Sequence, residues 1–418
     1  MEALPKTVCL KSGNMSWLLR FEAMKFIRSK KTAAVLLLLM LALLGMVMYN
    51  ARLDKAYWNR VSRDLSWERT LVNNESRKLE VQMEELLQGD FQDQDAYDKL
   101  NDHYKFYRMH NLFIYRQQLM IKFYLKGEAS ALERIELWLE RDRHMLKKLQ
   151  AGFTFLEENV DQVRQRLLVN EYMLAEGIEP LNSPHTMTAV NFLYQLMGYP
   201  WVLIPLIAMA LLNIDIFSGE MEGGAYKILY AQPYSRRRVL AAKFLVHFTA
   251  GAALISLLVL LVFAGVAGLN GLGNPDYPCP YHGATYQGQK LAGSGDSLTF
   301  LPWRSYMGKV LPLYLLLLAF VTAFIGACSL ILSSTANTVN ILFSLVVLDF
   351  ISRTLFPPEH AFNTLWPLAA ADINGVLQGA FRLSALAYLL LLTILSALFL
   401  IGACFVLQRR DLTGGIGA

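Results

Sequence analysis

Asp349 and Arg353 stand four residues apart in "VVLDFISRTLF", a run otherwise apolar enough to lie in a bilayer. On a helix that spacing puts carboxylate and guanidinium on one face, close enough to pair. A carboxylate inside an apolar span is a functional candidate. Its plainer role is a structural ion pair, with Arg353 snorkelling toward the nearby interface. His247, in "FLVHFTAG", is a lone imidazole in another apolar run and suits a hydrogen bond to a neighbouring helix. His185, His282, His360 and Cys279 fall in more polar stretches and share no metal-ligand spacing, so no metal site is expected. The chain has no H-E-x-x-H, no G-x-S-x-G and no carboxylate dyad, so no catalytic residues are assigned. It also lacks G-x-x-x-x-G-K-[ST], so it holds no P-loop and no cofactor of its own. Any energy from ATP must be supplied by another chain.

These residues sit in a chain that is 54% hydrophobic and 17% charged, with mean hydropathy +0.32, values that place it outside the soluble range. The apolar residues are gathered in runs matching the ~20 residues a membrane helix needs. Six spans are predicted: Thr32 to Tyr49, Gly198 to Phe217, Val239 to Leu269, Val310 to Ser333, Asn337 to Phe356 and Leu383 to Leu407. A net charge of +5 gives no reason to expect a nucleic-acid partner. The four cysteines, Cys9, Cys279, Cys328 and Cys404, are scattered and read as buried or idle thiols. The first apolar run lacks a small-residue cleavage site and reads as an anchor.

Lysine and arginine set the expected orientation. Arg20, Lys25, Arg28, Lys30 and Lys31 precede the first span. Lys227, Arg236, Arg237, Arg238 and Lys243 lie between the second and third spans, and Arg409 and Arg410 follow the sixth. All three regions share one side in a six-span chain, so both termini are expected in the cytoplasm. Trp201, Trp303 and Trp366 fall at the predicted outer ends, where indoles favour the interface. The expected organisation is a cytoplasmic amphipathic elbow over residues 1–31, the first span over 32–49 and an extracellular domain over 50–196. Residues 197–410 carry the other five spans, with a cytoplasmic loop at 215–243 and outer loops at 270–305 and 357–381; residues 411–418 form the tail. In the elbow, Trp17, Phe21 and Met24 share a stripe that Leu19 and Phe26 leave, so a helix lying in the headgroup layer stands beside a plain extension of the first span.

The domain over 50–196 has a different character. Residues 50–195 hold 20 of the 39 basic and 23 of the 34 acidic residues, so this part belongs in water. Leu132, Ile135, Leu139, Leu146, Leu149, Phe153, Leu156, Val160, Val163 and Leu167 follow a 3–4 spacing broken at Asp142, and Leu65, Val72, Leu79, Met83 and Leu86 form a weaker seam. The spacing predicts a coiled-coil-like helical stalk, with one helix from Glu128 to Tyr172 of roughly 65 Å. A packed hairpin with a solvated face and a module that binds a substrate or partner both fit it.

The loop between the second and third spans reads "DIFSGEMEGGAYKILYAQPYSRRRVLAAKF". Gly223 and Gly224 permit a sharp reversal, Ala225 to Ala231 suits a short helix, and Pro233 closes it. Glu220 and Glu222 suit a helix N-terminus and could meet basic residues on a partner. Arg236 to Arg238 are explained by topology and lipid contact alone. The stretch resembles the inner loop of type-2 ATP-binding-cassette exporter permeases, in a pattern matched by Glu220, Glu222, Gly224, Leu229, Pro233, Ser235, Arg236 and Lys243. The elbow, six spans and inward termini match as well, and the large domain after the first span resembles the branch with sodium-extruding and antibiotic-resistance permeases. The resemblance implies an all-α integral membrane subunit that pairs with an identical or sister permease in a bacterial plasma membrane. Each would dock to a separate ATPase subunit, which binds ATP and Mg2+, through Glu220, Glu222, Gly223, Gly224, Leu229, Pro233, Ser235 and Arg236. Substrate, lipophilic or peptide-like, would pass spans two and five, with Asn340, Phe343 and Asp349 as candidates. A membrane-anchored sensor or scaffold, with the stalk binding a partner and no transport, is the alternative.

Overall fold

The computed structural model describes residues 15–88, 93–153, 160–224, 226, 234–281, 284–286, 289–291, 299–332, 334–358 and 360–409. In chain order the helices are α1 (Met15–Arg28), α2 (Lys30–Gln88), α3 (Gln94–Leu125), α4 (Ala131–Gln150), α5 (Val160–Ala175), α6 (Ala189–Leu196), α7 (Leu203–Asn213) and α8 (Ser218–Glu222). Then come α9 (Arg236–Asn270), α10 (Trp303–Leu332), α11 (Thr335–Leu355), α12 (Ala361–Leu365), α13 (Ile373–Leu377) and α14 (Ala385–Arg409). Six segments are long and apolar enough to cross a membrane: α2, α7 together with α8, α9, α10, α11 and α14. The chain is a multi-pass membrane protein. It divides into two units, one made of the chain up to Met46, Thr188–Gly273 and the chain from Ser305, the other of Val47–Met187 and Asn274–Arg304.

In the first unit α1 is a helix of its own, parted from α2 at Ser29, where Thr32 Oγ1 donates to Phe26 O at 2.7 Å. Its two faces differ. Leu18, Glu22 and Phe26, four residues apart, are buried, with Leu18 against Val239 and Ala242 of α9. Trp17, Phe21, Met24 and Ile27 are exposed, and the first two rings stack at 5.6 Å. Phe26 leaves the exposed stripe because it belongs to the buried one. A second core joins Phe217, Leu240, Phe244, Leu330 and Leu407, drawn from the chain around α8, α9, α10 and α14. The approach is close enough that a Cβ on Gly326 would lie 2.5 Å from the Phe244 ring.

The segment expected as an outer loop at 357–381 is largely structured and buried. It holds α12, a 3-10 turn at Pro367–Ala371 and α13, and Ala370, Ala371 and Ile373 are fully enclosed. Small residues let this backbone pack deeply, and caps hold its turns: His360 Nδ1 accepts from Phe362 N and Asp372 Oδ1 from Gly375 N.

In the second unit part of each predicted seam lines one core, while Leu79, Met83, Leu86 and Leu132 are only half-buried outside it. Leu65, Val72, Ile135, Leu139, Val163 and Leu167 are buried together with Phe106, Ile114 and Ile121 of α3. The single helix expected from Glu128 to Tyr172 is not present. α4 ends at Gln150, Gly152 takes φ +88°, and α5 packs back on α4. Leu156 lies outside the described residues. Asp142, the break in the seam, is buried and receives the Arg166 guanidinium at 3.2 and 3.3 Å across that hairpin. Glu68 of α2 accepts from His110 of α3 at 2.8 Å and from Arg141 of α4 at 3.0 Å, tying three helices through a polar centre. Burial alone would raise the Glu68 carboxyl, but the His110 hydrogen bond and the Arg141 charge outweigh it and hold the group below its usual range.

Residues 274–304, expected within an outer loop, group with this second unit. They form strands β1 (Pro278–Tyr281), β2 (Ala284–Tyr286), β3 (Gln289–Leu291) and β4 (Thr299–Pro302), with β1 antiparallel to β4 and β2 to β3. An all-α expectation omits them; their proline- and glycine-rich sequence forbids helix and permits only short strands. Cys279 on β1 is buried, and burial pushes its thiol up to about 12.

Candidate functional site

The loop between α7 and α9 is built from a span that stops early. Asn213 ends α7; its amide donates to Met209 O at 2.6 Å and its oxygen meets His247 Nδ1 at 3.1 Å. The chain then turns, and Ser329 Oγ of α10 accepts from Phe217 N and Ser218 N at 3.2 and 3.0 Å. Two backbone donors freed by the interrupted helix are thus satisfied inside the protein, as apolar surroundings demand. His247 therefore supports the turn that leads into α8.

Glu220 and Glu222, expected to face a partner, find their partners within the chain. Glu220 is buried and accepts from Lys243 Nζ of α9 at 2.6 Å; it also pairs with Lys25 of α1. Lys243 is only 1% exposed and meets the equally buried Glu22 of α1 at 3.2 Å. One turn earlier, Lys31 of α2 pairs with Asp215 and donates to Leu212 O at 2.9 Å. Three lysines and three carboxylates so line or adjoin a polar cavity of about 270 Å³, with Phe26 and His247 in its wall. Glu222 points elsewhere: it accepts from Thr335 N and Thr335 Oγ1 at 2.8 and 3.1 Å, neutralising the start of α11. For Glu220 the physical reason is burial, since a carboxylate out of water takes the nearest cation; Glu222 is exposed and serves as a cap.

The other end of the loop is fixed as well. Ser235 caps α9 by accepting from Arg238 N, and Arg236 donates to Leu407 O and Gln408 O at 3.0 and 3.3 Å where α14 ends. Gly223 ends α8, and Gly224 sits at φ +70°, a backbone that side-chain-bearing residues rarely adopt. Leu229 and Pro233, with the expected short helix apart from Tyr226, lie outside the described residues.

The three residues expected along a substrate path are not gathered together. Asn340 and Phe343 are exposed on α11, the latter 70% exposed. Asp349 is buried and belongs to a different cluster. Its Oδ2 accepts from Arg353 Nε at 3.0 Å and its Oδ1 from Trp366 Nε1 at 3.1 Å. Arg353 also donates to Leu368 O at 2.8 Å and lies 4.0 Å over the Tyr199 ring. This pair holds the buried 366–371 turn against α11. Among the described residues no three His, Cys, Asp or Glu side chains gather as a metal would need.

Sequence reasoning missed Glu22, Lys25, Lys31, Asp215, Ser329 and Thr335 as parts of the site. Glu22, a lone carboxylate in a basic amphipathic helix, was a signal that could have found it. A family model described as ABC-2 family transporter protein matches residues 16–412. No curated protein and no solved structure matches the chain.

Proposed function

The chain belongs to the ABC-2 transporter family and is a membrane subunit of an ABC transporter, and we propose that it is the permease of an exporter. Two permease subunits, identical or sister chains, pair in a bacterial plasma membrane, with the second unit outside the cell. A separate ATPase, which binds ATP and Mg2+, docks at the loop between α7 and α9. Closing of that ATPase moves the loop and turns the permease outward by alternating access. The substrate is lipophilic or peptide-like, in keeping with spans that carry few charges.

The observation that carries this reading is how the loop is tied in. Its two ends bond to α1, α9, α10, α11 and α14 through Lys25, Lys243, Ser329, Thr335 and the Leu407 and Gln408 carbonyls. A mere connector needs none of those bonds. A force applied between residues 224 and 235 would be shared among these helices instead of bending one. The test is recovery of a P-loop ATPase with the full chain from native membranes, followed by Gly224→Val. That variant forces a β-branched residue into the left-handed region at a cost of ~1–3 kcal/mol and redirects the segment that follows. Loss of the ATPase with the chain still folded is expected; undiminished recovery and export would sink the assignment.

A further inference from the structure

A second cavity, of about 170 Å³, lies within the first unit between α7, α10, α11 and α14. Ala210, Phe324, Leu342, Val346 and Phe399 line it, and the Trp366–Leu368 turn closes one side. Every lining side chain is apolar except for the indole N–H, and Trp366 Nε1 is engaged with Asp349. Phe320, Phe324 and Phe399 form one wall, their ring centroids 5.0 to 6.2 Å apart. An ordered water needs 2–4 polar partners, and an apolar cavity of ~150 Å³ stays dry yet admits benzene. The helices around this one are membrane spans, whose surrounding solvent is hydrocarbon. The occupant such a site selects is therefore a hydrocarbon group.

We propose that this cavity is a binding site for a hydrocarbon chain, the tail of a bilayer lipid or of a single-chain amphiphile. It is separate from the path once assigned to Asn340 and Phe343, because Leu342 and Val346 line the cavity while Phe343 is exposed on α11. It does not depend on export or on an ATPase. The Asp349–Arg353 cluster acquires a purpose from it, since those bonds hold the Trp366–Leu368 wall in place. The charged cavity beside Lys243 is a poor site for the same ligand, because an acyl chain there would strip cations and carboxylates of their partners.

The experiment uses the full chain in lipid nanodiscs with two photoreactive probes, a diazirine phospholipid and a diazirine palmitic acid. Labelled peptides are identified by mass spectrometry. Adducts are expected on the α10 and α14 peptides that carry Phe324 and Phe399. Ala210→Phe fills the cavity, and labelling there should fall roughly tenfold or more, the discrimination a few methylenes make in an apolar pocket. Leu398→Phe, at a site that is 58% exposed on α14, should leave it unchanged. Leu342→Trp, filling the site from α11, is the second variant should Ala210→Phe fail to fold. Labelling by the phospholipid identifies a bilayer lipid as the source. Labelling by palmitic acid alone, chased by unlabelled palmitate, identifies a free amphiphile. Adducts spread evenly over exposed residues such as Phe343 and Leu398, and insensitive to both cavity-filling variants, would overturn the proposal.

Discussion

Replacing Lys243 by methionine removes the cation at the centre of the buried charge cluster while keeping most of the side chain's volume. Glu22 and Lys243 are each 1% exposed, whereas Glu220 retains Lys25 as a second partner. The penalty should therefore fall mostly on Glu22, left as a charge without its cation. Removing one partner of a buried pair costs ~3–5 kcal/mol, whereas Lys25, whose side chain is 49% exposed, should cost ~0–1 kcal/mol when cut to alanine. At ~2–4 °C per kcal/mol for a large domain, Lys243→Met should lower the melting temperature by on the order of 10 °C.

The assay is thermal unfolding of the purified full chain in detergent, followed by reaction of a thiol dye with newly exposed cysteines. The discriminating member of the series is the double variant. Lys243→Met with Glu22→Gln should regain most of the loss, because a neutral amide needs no cation. Lys243→Met with Glu220→Gln should regain less, because Glu22 is still charged. Such non-additivity is what directly interacting sites show. A Lys243→Met protein that melts with the wild type, or a Glu22→Gln change that deepens the loss, would refute the reasoning.

Three further outcomes are expected. Gly326→Ala places a methyl 2.5 Å from the buried Phe244 ring and should destabilise by ~1–3 kcal/mol, measured by the same thermal assay. In the second unit, burial, with His110, Lys148 and Lys147 nearby, holds the His144 imidazole below its ordinary value. The unfolded chain then binds the proton more readily, so this contribution to stability is present above the unfolded pKa of ~6.5 and is lost as pH falls toward the lower folded value. Limited proteolysis of the full chain between pH 7.5 and 5 should show that loss, and His144→Phe, placed between the rings of Phe106 and Phe113, should flatten it. Asp349→Asn keeps an acceptor for Trp366 but gives up the ion pair with Arg353; a loss of ~3–5 kcal/mol is expected for this buried site, again by thermal unfolding.

Run length and composition made the spans legible, because a bilayer imposes ~20 apolar residues whatever the fold. The same logic overreached in the stalk. Residues from Leu132 to Leu167 keep a 3–4 spacing along both arms of a hairpin, and periodicity cannot tell one long helix from two that pack together. Gly152 at φ +88° was the local signal of the turn. Asp142 was a second: it interrupts the seam because the other arm presents Arg166 to it. The Pro367–Ala371 turn was assigned to an outer loop from its place between spans, which says nothing of its burial; small residues are what let it pack deeply.

The inner loop shows the sharper division. Its glutamate, glycine and serine order could be read as belonging to a special loop, but not as an inward-facing one, because the elbow residues that close over Glu220 and Lys243 lie far away in sequence. Lys243 and Glu22 are 221 residues apart, and no spacing rule reaches that distance. Polarity argued for exposure, yet Glu220 is buried, because the elbow helix brings Lys25 and Glu22 over it. The elbow and the loop are therefore one charged assembly. It follows that truncating the chain before Lys30 should do more than weaken membrane attachment: Lys243 would lose Glu22 and Glu220 would lose Lys25, leaving a neutral pair stripped of half its partners and of the helix that covers it. Folding of such a truncation with wild-type thermal stability would show that α1 is only an anchor.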